Sequence, residues 1–243
     1  MKLFFIKLWM FTLNPKNSYN YINISTKNKI SDTYKAIVIY YALALLAFIP
    51  VTGLIKIIEY FFSIDIFKIR DNNINKTLVD NYSLILLILI GPIIEETVFR
   101  LWLSLKKIPI IISLIAILWV VVTKYNNISI YSTVNKTSFY NLFIAAILGF
   151  IVFNILNISF IKKILIKNYK LIYWCSCVGF GLIHLSNFAP INLNIIWAYP
   201  FFILPQLIFG FVLAYVRIKN GFFWALLLHC LINLPGTLHY FKQ

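Results

Sequence analysis

The chain has 243 residues, of which 61% are hydrophobic and 12% charged, against roughly a quarter charged in an ordinary soluble domain. A mean hydropathy of +0.86 excludes a disordered chain, a nucleic-acid module and a free cytosolic enzyme, because so much apolar surface needs lipid around it. The net charge of +15 arises from seven acids set against 22 lysines and arginines. It fits a chain held at an anionic inner leaflet better than a basic nucleic-acid-binding block.

In chain order, Met1–Leu13 is apolar but interrupted by Lys7, and no small-x-small cleavage site follows. This predicts an interfacial segment rather than a cleaved signal peptide, with Asn14–Thr33 as a polar cytosolic stretch. Residues 1–35 thus form a cytosolic or interfacial N-terminal segment. Residues 36–243 form one membrane-embedded domain, with no fixed-period repeat and no linker. A spanning helix needs about 20 apolar residues. Candidates are Ala36–Ile55, Tyr82–Leu103, Ile108–Val122, Phe139–Ile161, Leu171–Phe188, Ile195–Val216 and Gly221–Tyr240. The expected fold is all-α, a polytopic transmembrane helical bundle of about seven spans. Three cysteines exclude a disulfide scaffold. Cys175 and Cys177 stand too close together, and too far from other ligands, for a zinc site, and read as small buried thiols.

Lysine and arginine orient the spans. Fifteen of the 22 fall on one side: six before the first span, Arg100, Lys106 and Lys107, then Lys162, Lys163, Lys167 and Lys170, then Arg217 and Lys219. That side is expected to be cytoplasmic, with the N-terminus inside and the C-terminus outside. Lys68 and Arg70 on the far side work against this assignment.

Five of the seven acids, Asp32, Glu59, Asp65, Asp71 and Asp80, fall in loops or near span ends. Glu95 and Glu96 lie inside an apolar run. An ionised group at mid-membrane costs about 2.5–3.5 kcal/mol even on insertion scales, so two acids and Arg100 in one span need a reason. Structurally, Glu96 and Arg100 are i,i+4 and can pair along one face. Glu95, turned about 100° away, is left without a partner on its own helix and reads as functional. Pro92 cannot bond the carbonyl of Ile88, so a bend or loosened turn beside the carboxylates is expected. It is either a cavity wall or a plain proline kink.

There are three histidines. His184 and His229 fall inside spans, and His239 reads as interfacial. A membrane histidine is often a hydrogen-bonded packing residue, but two in a chain that buries a carboxylate pair suggest a site. His229 and Asn233 are i,i+4, as are Phe180 and His184. At about 1.5 Å per residue, Glu95 lies roughly 12–15 Å from the cytoplasmic end, His229 roughly 12 Å and His184 roughly 20 Å. One layer can therefore hold all three.

Such groups can run hydrolysis. A carboxylate in an apolar cavity can act as general base, one histidine can orient the attacking water, and a second with Asn233 can donate to an oxyanion. Alternatively Glu95, His184 and His229 could bind zinc with an open water position, although no HExxH run is present.

Glu95-Glu96-Thr97-Val98-Phe99-Arg100 resembles the EExxxR motif of the CAAX protease and bacteriocin-processing (Abi) family. Phe180–His184 is similar to that family's FxxxH motif, and His229–Asn233 to its HxxxN motif. The three stand in the family's order across about Leu84–Leu234, with Gly210, Arg217, Asn220-Gly221 and Trp224 leading to the third. The resemblance implies a helical intramembrane peptidase. In it Glu95 is the base, His184 its partner on the water, and His229 and Asn233 the oxyanion hole. Glu96 and Arg100, with Phe180, support the site. Family members are described both as metal-dependent and as metal-free. An amide such as Asn233 is a poor zinc ligand but a good oxyanion donor, so the expectation is no cofactor, with zinc on Glu95, His184 and His229 as the alternative. Isoleucine, asparagine and lysine are abundant, which suggests AT-rich coding and a bacterial plasma membrane. Bacteria generally lack prenylated CAAX proteins, so the expected partner is a short peptide or small membrane protein, in maturation or bacteriocin immunity. Two other readings stay open: a non-catalytic immunity protein acting by sequestration, and a proton-coupled transporter, which the lack of repeats weakens.

Overall fold

The computed structural model of the protein describes residues 1–16, 24–70, 85–126, 136–155, 158–189 and 191–240. Among them no strand occurs, and the fold is a helical bundle. Asp71, Asp80, Lys76, Lys242, the start of the second expected span (82–84) and the side chain of His239 lie outside the described residues.

The helices are α1 (Lys2–Leu13), α2 (Thr26–Phe62), α3 (Gly91–Phe99), α4 (Lys107–Tyr125), α5 (Lys136–Ile155), α6 (Ile158–Lys167), α7 (Tyr169–Ile183), α8 (Leu204–Asn220) and α9 (Phe222–Tyr240). Among the described residues, four stretches are long and apolar enough to cross a membrane: Thr26–Phe62, Lys107–Tyr125, Tyr169–Phe188 and Leu193–Asn220. Two shorter apolar helices are Tyr140–Ile151 and Phe222–Leu238. The Ser25 hydroxyl caps α2 by accepting the Asn28 N–H. At 37 residues α2 is about 55 Å long, well beyond the roughly 30 Å of a bilayer's hydrocarbon core.

Helix α8 is the hub. It packs on α7, α2, α9 and α1, and Phe209, Gly210, Val212–Val216 and Asn220 along it are buried. A helix enclosed on most sides must be apolar nearly all round, and this one is. At Gly210 a Cβ would come 2.7 Å from the Cys177 carbonyl oxygen, so the α7 and α8 backbones meet there without room for a side chain. Gly221, with φ 102°, makes the one-residue turn from α8 into α9 that an L side chain would strain.

Several expected spans are less regular than the sequence suggests. Tyr82–Leu103 is not one helix. Leu86–Ile90 is π-helical, with the Gly91 N–H reaching back to the Leu86 carbonyl, before Pro92 enters α3. Proline supplies no N–H at that point, and a widened turn absorbs the missing bond. α3 then ends at Arg100 (φ −127°) and passes into a 3₁₀ segment, Leu101–Ser104. Phe139–Ile161 divides into α5 and α6. The latter carries Lys162, Lys163 and Lys167 in ten residues, too much charge to continue a span. Leu171–Phe188 is α-helical only to Ile183, and His184 opens a 3₁₀ segment. The sixth expected span begins as 3₁₀ turns with a kink at Ile195 and reaches α8 after a single α-turn, Tyr199–Phe202, since Pro200 and Pro205 each restart the helix. Cys177 is buried, but Cys175 is exposed. Two positions along a helix point nearly opposite ways, so only one of the two thiols can face the core.

The contacts sort the helix termini into two ends. At one end lie α1, the start of α2, the close of the α3 region, the start of α7 and the end of α8. The Asp32–Lys219 ion pair at 2.8 Å, the Tyr169 hydroxyl on the Leu103 carbonyl and Arg217 on the Leu101 carbonyl join them. At the other end Ile55 and Ile66 pack on Phe188, Ile195, Tyr199 and Ile203. There, too, Asn126 donates to Asn141 at 2.9 Å and clasps α4 to α5.

Candidate active site

The interrupted α3 positions the site. A helix that stops inside the bundle leaves its last carbonyls open, and each open carbonyl costs several kcal/mol in an apolar medium, on the order of 2–7. Side chains from neighbouring helices close them. Ser113 of α4 donates to the Thr97 carbonyl at 2.7 Å and to that of Val98 at 3.2 Å. Ser176 of α7 and the Trp102 indole both donate to the Phe99 carbonyl. Arg217 of α8 reaches the Leu101 carbonyl at 3.3 Å, and Tyr169 that of Leu103 at 3.3 Å. The break at Arg100 is thus held from three sides. Ser113 and Ser176 carry no motif, and their one sequence signal is a hydroxyl inside an apolar run.

Inside the break, Glu96, Arg100 and His229 are fully buried, while Glu95 is half-buried. Arg100 Nη1 donates to Glu96 Oε1, the i,i+4 pair that the spacing allows. His229 of α9 then joins both acids. Its Nδ1 lies 2.9 Å from Glu96 Oε1 and its Nε2 3.5 Å from Glu95 Oε2. Glu95 therefore has a partner on another helix, which its position on α3 alone does not reveal. Both nitrogens of His229 face carboxylates, so it links the two acids, one turn before Asn233 on the same helix.

Phe180 is the ring around which the site is packed. Arg100 Cζ stacks 3.9 Å from its centroid. His184, His229, Phe99 and Phe209 meet it edge-to-face at 4.9, 5.6, 5.9 and 6.0 Å. Phe209 also lies 5.0 Å from the His229 ring, a contact no motif signalled. His184 joins the group through Phe180, because among the described residues it shares no hydrogen bond or ion pair with Glu95. Its Nδ1 is 2.8 Å from the Phe180 carbonyl. A carbonyl only accepts, so Nδ1 carries the hydrogen, and in the neutral ring Nε2 keeps a lone pair. Asn233 is half-buried one turn beyond His229, where its backbone carbonyl accepts from Thr237.

The chemistry follows from the donor pattern. With Arg100 against it, Glu96 accepts from His229 Nδ1–H. Nε2 then faces the Glu95 carboxyl at 3.5 Å. A group that can hold or release a proton, backed by an oriented imidazole and a fixed carboxylate, is the general arrangement of an acid–base site. A three-ligand metal site fits these residues poorly. Among the described residues no group of three His, Cys, Asp or Glu is placed to hold a metal ion, and His229 already has a carboxylate at each nitrogen.

No protein-family model matches this chain, and neither a curated protein nor a solved structure matches it.

Proposed function

We propose that this protein is an intramembrane endopeptidase. It hydrolyses a peptide bond in a small membrane-associated peptide or protein, in peptide maturation or bacteriocin immunity. The observation that carries the reading is the Glu95–His229–Glu96–Arg100 chain, assembled from α3 and α9 at a helix break. Glu95 is the base that takes the proton of an attacking water, and His229 accepts or returns that proton while Glu96 and Arg100 hold its ring. His184 accepts from the same water at Nε2, and the Asn233 amide donates to the oxygen that becomes charged. Phe180 sets the spacing of the three groups. The likeness of Glu95–Arg100, Phe180–His184 and His229–Asn233 to the Abi-family motifs adds to this reading.

The same proposal places the chain in a bacterial plasma membrane with seven crossings, N-terminus inside and C-terminus outside. The clustering of Lys2, Lys7, Lys219 and the Leu101–Ser104 segment at one end of the bundle supports that topology.

The sequestration reading has one observation in its favour. Glu96, Arg100 and His229 are so completely enclosed that they could serve as a packing polar core alone. A cleavage assay in liposomes with a library of candidate peptides separates the two. Glu95→Gln keeps shape but takes no proton, so it abolishes cleavage while insertion and folding persist. Intact biological activity in Glu95→Gln would leave sequestration as the function.

A further inference from the structure

We propose that α1 is a docking surface for an anionic phospholipid leaflet. It lies across the helix ends as an in-plane strap, with one face on protein and the other on lipid headgroups and upper acyl chains. The proposal uses no residue of the acid–base site and stands or falls apart from the peptidase reading.

The helix is apolar on both faces. Phe4, Leu8 and Thr12 are buried. Phe4 meets Tyr215 edge-to-face at 5.4 Å and Phe11 meets Tyr173 at 5.5 Å, so α1 bridges α8 and α7. The opposite face presents Leu3, Ile6, Met10 and Leu13, with Trp9 at its border, at 65%, 40%, 65%, 48% and 55% exposure. Water would penalise that face heavily. Yet 12 residues make a helix of about 18 Å, too short to cross roughly 30 Å of hydrocarbon. Its protein partners fix its depth. Tyr173 is one turn into α7, Tyr215 is near the end of α8, and Lys219 lies 5.1 Å from the Phe4 ring while paired with Asp32. All are at a helix terminus, so α1 sits at the level where the bundle leaves the hydrocarbon.

Charge selects the occupant. The first 35 residues hold six lysines and a single acid, Asp32, and Lys219 already engages that acid. Lys2, Lys7, Lys16 and Lys27 are exposed. A tryptophan-bearing apolar face bordered by unneutralised lysines fits an anionic interface. A neutral leaflet would leave the lysines unanswered, and a protein partner would have to be both apolar and acidic.

The test uses the full chain in nanodiscs of phosphatidylcholine with roughly one-fifth phosphatidylglycerol, with bromine on the chains of one lipid or the other. The fluorescence difference between wild type and Trp9→Phe isolates Trp9 from the other tryptophans. We expect Trp9 to be shielded from aqueous acrylamide and quenched by brominated phosphatidylglycerol beyond that lipid's share. Lys2→Gln/Lys7→Gln should lower this preference by up to about five-fold per lysine. Should that variant misfold, rising salt on the wild type should erode the same preference. Quenching by the two lipids in proportion to their abundance, or quenching by acrylamide, overturns the proposal. So does a Trp9 that neither quencher reaches, since a protein would then cover α1.

Discussion

Arg100 ends α3 with its guanidinium enclosed by protein, stacked on Phe180 and bonded to Glu96. Replacing it with alanine leaves the Glu96 carboxylate buried without its cation, a loss of about 3–5 kcal/mol. We therefore expect Arg100→Ala to lower the unfolding midpoint in detergent sharply, and Arg100→Lys to restore only part, since an ammonium lacks the planar face that rests on Phe180. A well-folded, inactive Arg100→Ala would assign the arginine to the chemistry. Asn233 calls for the opposite pattern. If its amide meets charge that develops only in the transition state, Asn233→Ala slows single-turnover cleavage on the order of 10²–10³-fold while peptide affinity holds. Equal loss of both would make Asn233 a substrate-holding or folding residue. Metal chelation provides a third check: with no three-ligand group among the described residues, cleavage should persist after exhaustive chelator treatment and removal of bound zinc. At this scale the sequence was legible where the partner lay one turn away, as with Glu96 and Arg100. It was silent on the partner of Glu95, because His229 is 134 residues further along the chain and only the packing of α9 on α3 brings it near.

The elements matter here through their interruptions. The π-helical turns before Pro92, the stop at Arg100 and the α-to-3₁₀ change at His184 each place a site residue where a helix loses its regular bonding. Hydropathy detects apolar stretches but not their breaks, so Ile195–Val216 reads as a plain span, while in Tyr82–Leu103 Pro92 signalled the loosened turn and nothing signalled the stop at Arg100. The breaks persist because Ser113, Ser176, Tyr169 and Arg217 close the open carbonyls. Ser113→Ala, which strips the hydroxyl from both Thr97 and Val98, should destabilise the fold by about 1–3 kcal/mol. Ser176→Ala should cost less, because Trp102 still serves the Phe99 carbonyl. The close approach of α7 and α8 allows a sharper comparison. A Cβ at Gly210 meets the Cys177 backbone oxygen at 2.7 Å, whereas one at Gly53 meets nothing within 4 Å. Gly210→Ala must push the helices apart and shift Phe180, so both stability and cleavage should fall. Gly53→Ala should be neutral or slightly stabilising through its better helix propensity. Thermal unfolding of the two variants in the same detergent makes the measurement, and equal midpoints would mean that the crossing is looser than its geometry implies.

Across the whole molecule, the direction of each helix bears on topology. α2, α4, α7 and α9 leave the end that carries α1, and the α3 region, α5 and α8 return to it, as the contacts at Asp32–Lys219, Leu103–Tyr169 and Asn126–Asn141 require. An odd number of such passes puts the two termini on opposite sides if every pass crosses the bilayer. The short pass is the α3 region. Nine residues of α3 span only about 14 Å, under half of the roughly 30 Å core. It crosses fully only if the π-helical turns and the chain before them supply the remainder. A re-entrant α3 region would make the number of crossings even and bring both termini to the lysine-rich side. Paired reporter fusions, one active only outside the cytoplasm and one only inside, placed after Lys107 and after Gln243, distinguish the two. We expect the Lys107 fusion to report the cytoplasm and the Gln243 fusion the exterior. A re-entrant α3 region would reverse both results, because every segment after it would change side. An exterior Lys107 fusion together with a cytoplasmic Gln243 fusion would make α3 a re-entrant arm that brings Glu95 into the membrane from one side only.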